Sequence, residues 1–251
     1  MNSVMSKGAD STRHDIGKMR GMQLLALDTS TEWLSVALFD GRDAIAVRER
    51  TGNASSERIL PAVAEVLAQA GASLARLDGI AFGAGPGSFT GVRIACGVAQ
   101  GLAFGAGLPV FGVPTLGAIA QSEWRTHGAP RVIACLDARM REVYVAAYLR
   151  NDTGWALVRE PAVCEPDAID PLPPQAWHGA GNGFAVHPQL SSRLALASCD
   201  PSIIPDAQSI AEWAWPLMLA GEGVPAEQAQ PLYVRHRVAL TSAERAAGIR
   251  L

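Results

Sequence analysis

The chain has 251 residues, of which 49% are hydrophobic and 18% charged, so it is long enough for a substantial core and is not a disordered polymer. Its net charge is −3, and its lysines, Lys7 and Lys18, both lie within the first 21 residues. An acidic chain without a basic stripe is a poor nucleic-acid binder on its own. Any contact with nucleic acid would therefore need a partner.

The first 21 residues lack the apolar stretch of a secretory signal peptide. They predict a disordered N-terminal extension, 1–21, with Met22 as the more natural beginning of the folded part. The four cysteines show no CxxC spacing, which indicates neither a zinc knuckle nor a redox pair. Free thiols without a secretory signal favour the reducing cytoplasm as the location.

Two short apolar runs, 22–28 and 33–39, predict buried strands joined as a hairpin. A third strand is expected around 43–50, after the turn at Asp-Gly. Apolar residues at helical spacing then predict a helix over 56–70, with Ser56 as its N-cap. The chain thus begins with a three-stranded meander followed by a helix.

The segment LDGIAFGAG predicts another strand, and the small-residue run after it predicts a helix over 89–105 capped by Ser88. PVFGV is typical of a short buried strand, and Pro114 favours the start of a further helix. This order predicts an α/β fold, a mixed sheet with helices on both faces. It resembles the half-unit of the actin-like (ASKHA, ribonuclease H-like) ATPases.

From residue 131 onward the pattern repeats less regularly. RVIACLDA and EVYVAAYLR predict a hairpin, WALVREPAVC a further strand, and the residues before GAGNGF a short one. A helix is expected after Asp206, broken at Pro216. The sequence therefore predicts two subdomains of related topology, of which the second is degenerate and smaller.

The predicted boundaries divide the chain into four parts. The first 21 residues form the extension, 22–125 the N-terminal actin-like subdomain, 126–238 the second subdomain and 239–251 a polar tail.

The stretch from Ile94 to Ala120 is long and apolar enough to cross a bilayer and contains a GxxxG repeat. Pro109 and Pro114 divide it into helix, strand and helix. We therefore expect no membrane span.

The DTST segment at the end of the first strand has two interpretations. Asp28 could orient a magnesium-bound water while Thr29 and Ser30 contact a phosphate. Alternatively, these residues simply form a good turn. Nucleotide-binding loops of this kind have a glycine where Thr29 stands, which favours the turn.

The glycine-rich stretch FGAGPGSFTG is not a Walker A loop, because no lysine follows residue 18. Nor does it open a Rossmann unit, because three strands and a helix precede it. Its glycines favour a tight turn. Gly97, Gly101 and Gly105 give the following helix a bare face, against which a core helix or a partner could pack closely.

Two further motifs remain open between functional and structural interpretations. DARMREVY, residues 137–144, could form a polar contact surface, grip a phosphate, or be a solvated hairpin turn. GAGNGF contains Gly181 and Gly183 and could cradle an adenosine or be a plain turn. The sequence has neither a His pair four residues apart nor a GxSxG elbow, so we expect no metal site and no catalytic group.

Taken together, DTSTEWLSVAL, SSERILPAV, GAGPGSFTGVRIACGVAQGLAFG, DARMREVY and PLYVR resemble the TsaB (YeaZ) family closely. The resemblance runs from about Met22 to Val238, and GPGSFTGVR is its most specific part. One departure is Ser55-Ser56-Glu57, where the family pattern has His-Ser-Glu.

The resemblance implies a non-catalytic scaffold or activator with an actin-like fold that has lost the metal-binding histidines of its sibling TsaD. It implies pairing with TsaD through the two N-terminal helices, and joining by the ATPase TsaE. The complex would use ATP and move threonylcarbamoyl from an AMP-linked carrier to the adenosine next to the tRNA anticodon. The chain itself would need no cofactor, would meet tRNA only through the complex, and could form homodimers alone.

The resemblance also suggests site residues. The candidate partner-binding residues are Ile59, Val63, Val66, Arg93, Gly97, Gly101 and Phe104. The candidate residues of a vestigial nucleotide site are Asp28, Thr29, Ser30, Gly181 and Gly183.

Two alternative functions remain. An autonomous actin-fold ATPase or small-molecule kinase would need Asp28 and the 179–184 turn to bind Mg–ATP together. A peptidase would need Ser88 as a nucleophile.

Overall fold

The computed structural model describes residues 21–234. The predicted polar tail and, but for Gly21, the predicted N-terminal extension lie outside these residues.

The first half of the chain forms a five-stranded mixed sheet. Its strands are β1 (Leu24–Asp28), β2 (Trp33–Phe39), β3 (Ala44–Arg50), β4 (Gly79–Gly85) and β5 (Val110–Pro114). The spatial order is β3-β2-β1-β4-β5. β1 to β3 form the predicted antiparallel meander, whereas β1, β4 and β5 are parallel, so that Ala26 faces Ala37 on one side and Ala81 on the other.

Two helices cover one face of this sheet: α1 (Ser55–Gln69) and α2 (Phe89–Ala106). The Ser88 hydroxyl accepts a hydrogen bond from the Gly91 amide at 3.3 Å, which confirms the predicted cap of α2. The predicted cap of α1 at Ser56 is wrong. That helix begins one residue earlier, and Ala54, which has no capping side chain, occupies the cap position.

The central strands bury both of their faces, which explains why the sequence there is continuously apolar. Leu25 and Leu27 of β1 pack under α1 and α2, whereas Leu24 and Ala26 point to the other face. All four side chains are inaccessible to solvent.

The second half repeats the topology with a longer meander but shorter parallel strands and helices. Its strands are β6 (Arg131–Arg139), β7 (Glu142–Asn151), β8 (Gly154–Cys164), β9 (His178–Ala180) and β10 (Ser198–Asp200). The order β10-β9-β6-β7-β8 again combines an antiparallel meander with two parallel strands. Short helices α4 (Gly183–Val186) and α5 (Gln189–Arg193) cover its outer face. The two sheets thus have related topology, as predicted.

Helix α3 (Thr115–His127) lies between the two halves. Its Ala118 packs in the core of the first sheet, while Leu116 and Ile119 pack in the core of the second. This helix therefore links the two subdomains rather than belonging to one of them.

The last helix, α6 (Ala207–Ala220), corrects two predictions. It packs on the first sheet, where the rings of Phe39 and Trp215 meet edge to face at 5.2 Å, so 126–238 is not one structural unit. It also continues through Pro216 instead of breaking there. Pro216 is exposed, and the buried Trp215 and Met218 on either side hold both halves of the helix in the same core.

Within the described residues, α2 is long and apolar enough to cross a membrane by length and composition, and a third of it is buried. Core helices pass the same test. Here Ala95, Cys96, Ala99 and Ala103 pack on the first sheet, and the helix stops before β5, as the proline argument predicted.

Candidate functional site

The turn between β1 and β2 is buried. Asp28, Thr29 and Ser30 are each at most 1% exposed. The Ser30 amide and hydroxyl donate to Asp28 Oδ2 at 3.3 and 3.0 Å, while Asp28 Oδ1 has no hydrogen-bond partner among the described residues. The carboxylate is thus used to shape its own turn.

The beginning of α2 fills the space above this turn. The Ser88 amide donates to the Ser30 carbonyl at 2.7 Å, and the Thr29 hydroxyl donates to the Gly91 carbonyl at 2.6 Å. A side chain at Gly87 or Gly91 would collide with the carbonyl of Ser30 or Thr29. These glycines therefore let the helix approach the turn, and the chain itself occupies the position where a phosphate was considered.

This packing contradicts the prediction that Asp28 and Thr29 are nucleotide ligands, because no ligand can reach them. Ser30 alone of the three lines the cleft described below. Burial raises the pKa of Asp28 to about 7, against the opposing effect of the hydrogen bonds from Ser30. The nearby Asp206 raises it further.

The predicted adenosine-cradling glycines also have a structural explanation. A Cβ at Gly181 would collide with the Cys135 carbonyl, and one at Gly183 with the Cys135 sulfur, so both glycines let the turn lie on β6. Gly181 in addition has a φ of +114°, a value that favours glycine. The contacts favour the plain-turn interpretation of GAGNGF.

A cleft of about 580 Å³ lies between the two halves. Ser30 and Ser88 line it on the side of the first sheet, and Asp137, Arg139 and Asn182 on the side of the second. The Asp137 amide donates to Asn182 Oδ1 at 3.0 Å, which joins the DARMREVY and GAGNGF motifs at one wall. Both open motifs thus lie at the same cleft.

The tip of the β6–β7 hairpin has an unusual backbone. Arg139, Met140 and Arg141 have φ values of 64°, 54° and 63°, in the left-handed region that glycine and asparagine normally occupy. The Arg139 guanidinium lies 3.3 Å from Asp137 Oδ2 and is 89% exposed. For the DARMREVY motif, this exposed guanidinium fits a polar contact surface, a phosphate grip and a solvated turn alike.

The partner-binding prediction is wrong for the α1 residues Ile59, Val63 and Val66. They are 0%, 4% and 0% exposed and belong to the core under the first sheet. The helical stripe that they form is the side of α1 that packs on the sheet. The apolar residue that α1 presents to solvent is Leu60, at 53% exposure.

The four α2 residues of the prediction, in contrast, are exposed: Arg93, Gly97, Gly101 and Phe104. A Cβ at Gly97, Gly101 or Gly105 would meet nothing within 4 Å, and Phe104 is 77% exposed. We call Gly97, Gly101, Phe104 and Gly105 the open face of α2. On this face, three glycines leave the helix backbone bare, and Phe104 is its one large apolar side chain.

Arg93 is exposed but not free. Its guanidinium lies 3.5 Å from the centre of the Phe89 ring, and its Nε donates to the Tyr233 hydroxyl at 2.8 Å. The segment before Tyr233 crosses α2, where the Gln100 amide donates to the Ala229 carbonyl at 2.9 Å. Tyr233 belongs to the PLYVR motif but was not among the predicted site residues.

Comparison with known proteins shows which families this chain resembles. Residues 47–214 match the family described as "TsaD: tRNA N6-adenosine threonylcarbamoyltransferase". The chain is 41% identical over 223 residues to the tRNA threonylcarbamoyladenosine biosynthesis protein TsaB of Escherichia coli K12, covering 87% of this chain and 96% of that protein. It is 39% identical over 229 residues to the protein of the same name from Haemophilus influenzae, covering 88% and 96%.

Two solved structures are also similar. YeaZ from Pseudomonas aeruginosa has a TM-score of 0.78 and 42% identity, covering 84% of this chain and 99% of that one. A second Pseudomonas aeruginosa structure, of a protein with similarity to peptidase YeaZ, has a TM-score of 0.79 and 41% identity, covering 85% and 100%.

The two mixed sheets with their helices and the structural matches define an actin-like α/β protein of two related subdomains. Within this class, the chain belongs to the TsaB (YeaZ) family. This membership connects it with the biosynthesis of tRNA threonylcarbamoyladenosine.

Proposed function

We propose that this chain is a non-catalytic scaffold and activator in the transfer of threonylcarbamoyl to N6 of the adenosine next to the tRNA anticodon. It works in the cytoplasm, as a subunit beside TsaD and TsaE. The complex uses ATP, while the chain itself needs no cofactor. Its acidic, lysine-poor composition agrees with contact to tRNA only through the complex.

The observation that carries this proposal is the open face of α2. Glycines at 97, 101 and 105 leave space that nothing in the described chain fills, and Phe104 stands exposed beside them. Glycine lowers helix stability by about 1 kcal/mol relative to alanine. Three such residues on one exposed surface are therefore unfavourable for the isolated chain, but they allow another helix to approach closely.

The partner on this face is TsaD, whose family resembles this chain in sequence. A related subdomain would present a similar helix, and two bare faces can pack against each other. When TsaD is absent, a second copy of this chain uses the same surface, which gives a homodimer.

The closed β1–β2 turn supports a role without chemistry of its own. The alternative function, an autonomous ATPase or kinase, requires Asp28 to contact a metal-bound phosphate. The buried carboxylate and the beginning of α2 leave no room for that contact.

Reconstitution tests the proposal. TsaD and TsaE from the same source are mixed with ATP, threonylcarbamoyl-AMP and tRNA, and modified tRNA is measured with and without this chain. We expect product formation to depend on this chain and to survive Asp28→Asn. Gly101→Leu, which fills the open face, should reduce product at least tenfold.

The matched control is Ala220→Leu, another exposed position, on α6 at the opposite face of the first sheet. It should leave product formation unchanged. Equal product without this chain would refute the scaffold role. Loss of product in Asp28→Asn with an intact complex would instead support chemistry at the β1–β2 turn.

A further inference from the structure

Three potential metal ligands meet at the end of α3 that lies next to the second sheet. Glu123 and His127 are one helical turn apart on α3, and Asp200 is the last residue of β10. One ligand atom from each residue lies within 4.8 Å of the others. The prediction from sequence overlooked this group, because it searched for two histidines at this spacing and not for one histidine with a carboxylate.

The distances are close to those of a tetrahedral site. His127 Nε2 lies 3.0 Å from Asp200 Oδ2 and 3.9 Å from Glu123 Oε2. An ion that holds its nitrogen and oxygen ligands at about 2.0–2.1 Å in tetrahedral geometry separates them by about 3.3–3.4 Å. Shifts of a few tenths of an ångström would bring the two measured distances to this value.

The burial of Glu123 is a second, independent observation that points to a cation. The residue is 1% exposed, and its Oε2 atom has no hydrogen-bond partner among the described residues. His127 Nε2 lies 3.9 Å from this oxygen, beyond hydrogen-bond range. A buried carboxylate oxygen without a partner is costly, and a bound cation would remove that cost.

The surroundings hold the other two ligands in place. Asp200 Oδ1 accepts from the Ser202 amide at 2.9 Å and the Ser202 hydroxyl at 2.6 Å, which leaves Oδ2 directed to the cluster. Such hydrogen bonds to the second oxygen are typical of metal-binding carboxylates. His127 is the last residue of α3, and the partial negative charge of a helix C-terminus favours a cation there.

We propose that Glu123, His127 and Asp200 bind one divalent cation of the zinc class, with solvent as the fourth ligand on the exposed side of His127. Two carboxylates neutralise the charge of the ion, and imidazole favours Zn²⁺ over Mg²⁺, which prefers six oxygen ligands. The ion joins α3 to the edge strand β10. Its role is therefore to fix the linking helix to the second sheet, independently of the open face of α2.

The test uses the full chain after removal of metals with a chelator. ZnCl₂ is titrated by calorimetry and by thermal unfolding, with MgCl₂ in parallel. We expect one equivalent of Zn²⁺ to bind, and the Tm to rise by roughly 5–10 °C at a hundredfold excess over Kd. MgCl₂ at the same concentration should leave the Tm unchanged.

Two variants locate the site. His127→Gln changes an exposed side chain and should fold normally, while Glu123→Gln removes the buried ligand. Each should lower Zn²⁺ affinity at least tenfold. The matched control, His178→Gln on β9, changes a histidine that contacts Ser198 instead, and should bind Zn²⁺ like the unaltered chain.

The Co²⁺ complex of the unaltered chain should show the intense visible absorption of a four-coordinate ion, and His127→Gln should abolish it. Absence of Zn²⁺ binding to the unaltered chain would mean that His127 forms only an ion pair with the two carboxylates. Binding that persists equally in His127→Gln would place the metal elsewhere. Either result would overturn the proposal.

Discussion

Glycines occur at the beginning of helix α2 and on its exposed face for opposite reasons. At its beginning, Gly87 and Gly91 lie so close to the carbonyls of Ser30 and Thr29 that no side chain could fit. Along its outer surface, Gly97 and Gly101 face open space. The first contact is complete within the chain, whereas the second surface is uncovered by the described residues. The same residue type therefore marks internal packing in one region and the proposed partner surface in the other.

Substitutions in these two regions should therefore affect different properties, namely folding stability in the first and association with a partner in the second. Substitution at the closed end should damage folding, because backbone atoms of the neighbouring turn cannot move away without breaking its hydrogen bonds. Substitution on the open face should leave folding intact and affect only association. The following predictions test that separation, beginning with the largest expected effect.

Gly91→Ala should destabilise the chain most. Its Cβ would overlap the Thr29 carbonyl, a backbone atom that is held by the β1–β2 turn. We expect the free energy of unfolding to fall by roughly 3 kcal/mol, the upper end of the usual cost of overpacking, measured by urea denaturation. A loss below about 1 kcal/mol would show that the turn yields easily and is not rigidly closed.

Asp28→Asn should make stability less dependent on pH. The pKa of Asp28 in the folded chain, about 7, is above its unfolded value of 3.8, so the folded state holds the proton more tightly. The stability that this provides is present below about pH 4 and is lost as pH rises through 7. At pH 8 the variant should be more stable than the unaltered chain by roughly 1–3 kcal/mol.

The measurement is urea denaturation of both chains at pH 4, 6 and 8. The advantage of Asp28→Asn should shrink steadily toward pH 4. An advantage of equal size at all three values would mean that the proton on Asp28 is not its cause.

Gly101→Ala should stabilise the isolated chain by about 0.5–1 kcal/mol, because alanine favours the helix and its Cβ meets nothing within 4 Å. Chemical denaturation of the monomeric chain gives this value. Gly91→Ala is the matched comparison, since the same substitution on the same helix should have the opposite sign. Destabilisation by Gly101→Ala would indicate that the open face is already covered.

Tyr233→Phe should have the smallest effect. It removes the hydrogen bond to Arg93 but keeps the ring beside the guanidinium. Because both side chains are exposed, we expect a change of less than about 0.5 kcal/mol in unfolding free energy. A larger loss would show that the crossing segment is an essential part of the α2 surface.

Much of the local structure followed from the sequence. Short apolar runs and a turn predicted the meander of β1 to β3, helical spacing predicted α1, and the small-residue run after Ser88 predicted α2. Ser88 was recognised as a cap because its hydroxyl precedes a helix by the right distance. These features depend on residues close together in the chain.

The site was only partly predictable for the same reason. The stripe Ile59, Val63 and Val66 correctly indicated a helix, but helical spacing identifies an apolar side without saying what covers it. The sheet covers this stripe, so that only the α2 part of the predicted partner-binding set lies at the surface. Likewise, an aspartate before hydroxyl residues is compatible with either a phosphate or a turn until the neighbouring helix is placed.

By itself, the sequence determined the class of the fold, the order of its elements, the position of the α2 cap and the bareness of the glycine-bearing helix. Only the tertiary structure decided that α6 returns to the first sheet, where the Ala207 amide donates to the Ser35 hydroxyl across 172 positions of the chain. It also decided that α2 closes the β1–β2 turn, and that Asp200 reaches Glu123 and His127. Local patterns specify backbone conformation, whereas contacts between distant residues arise only when whole elements pack to bury their apolar faces.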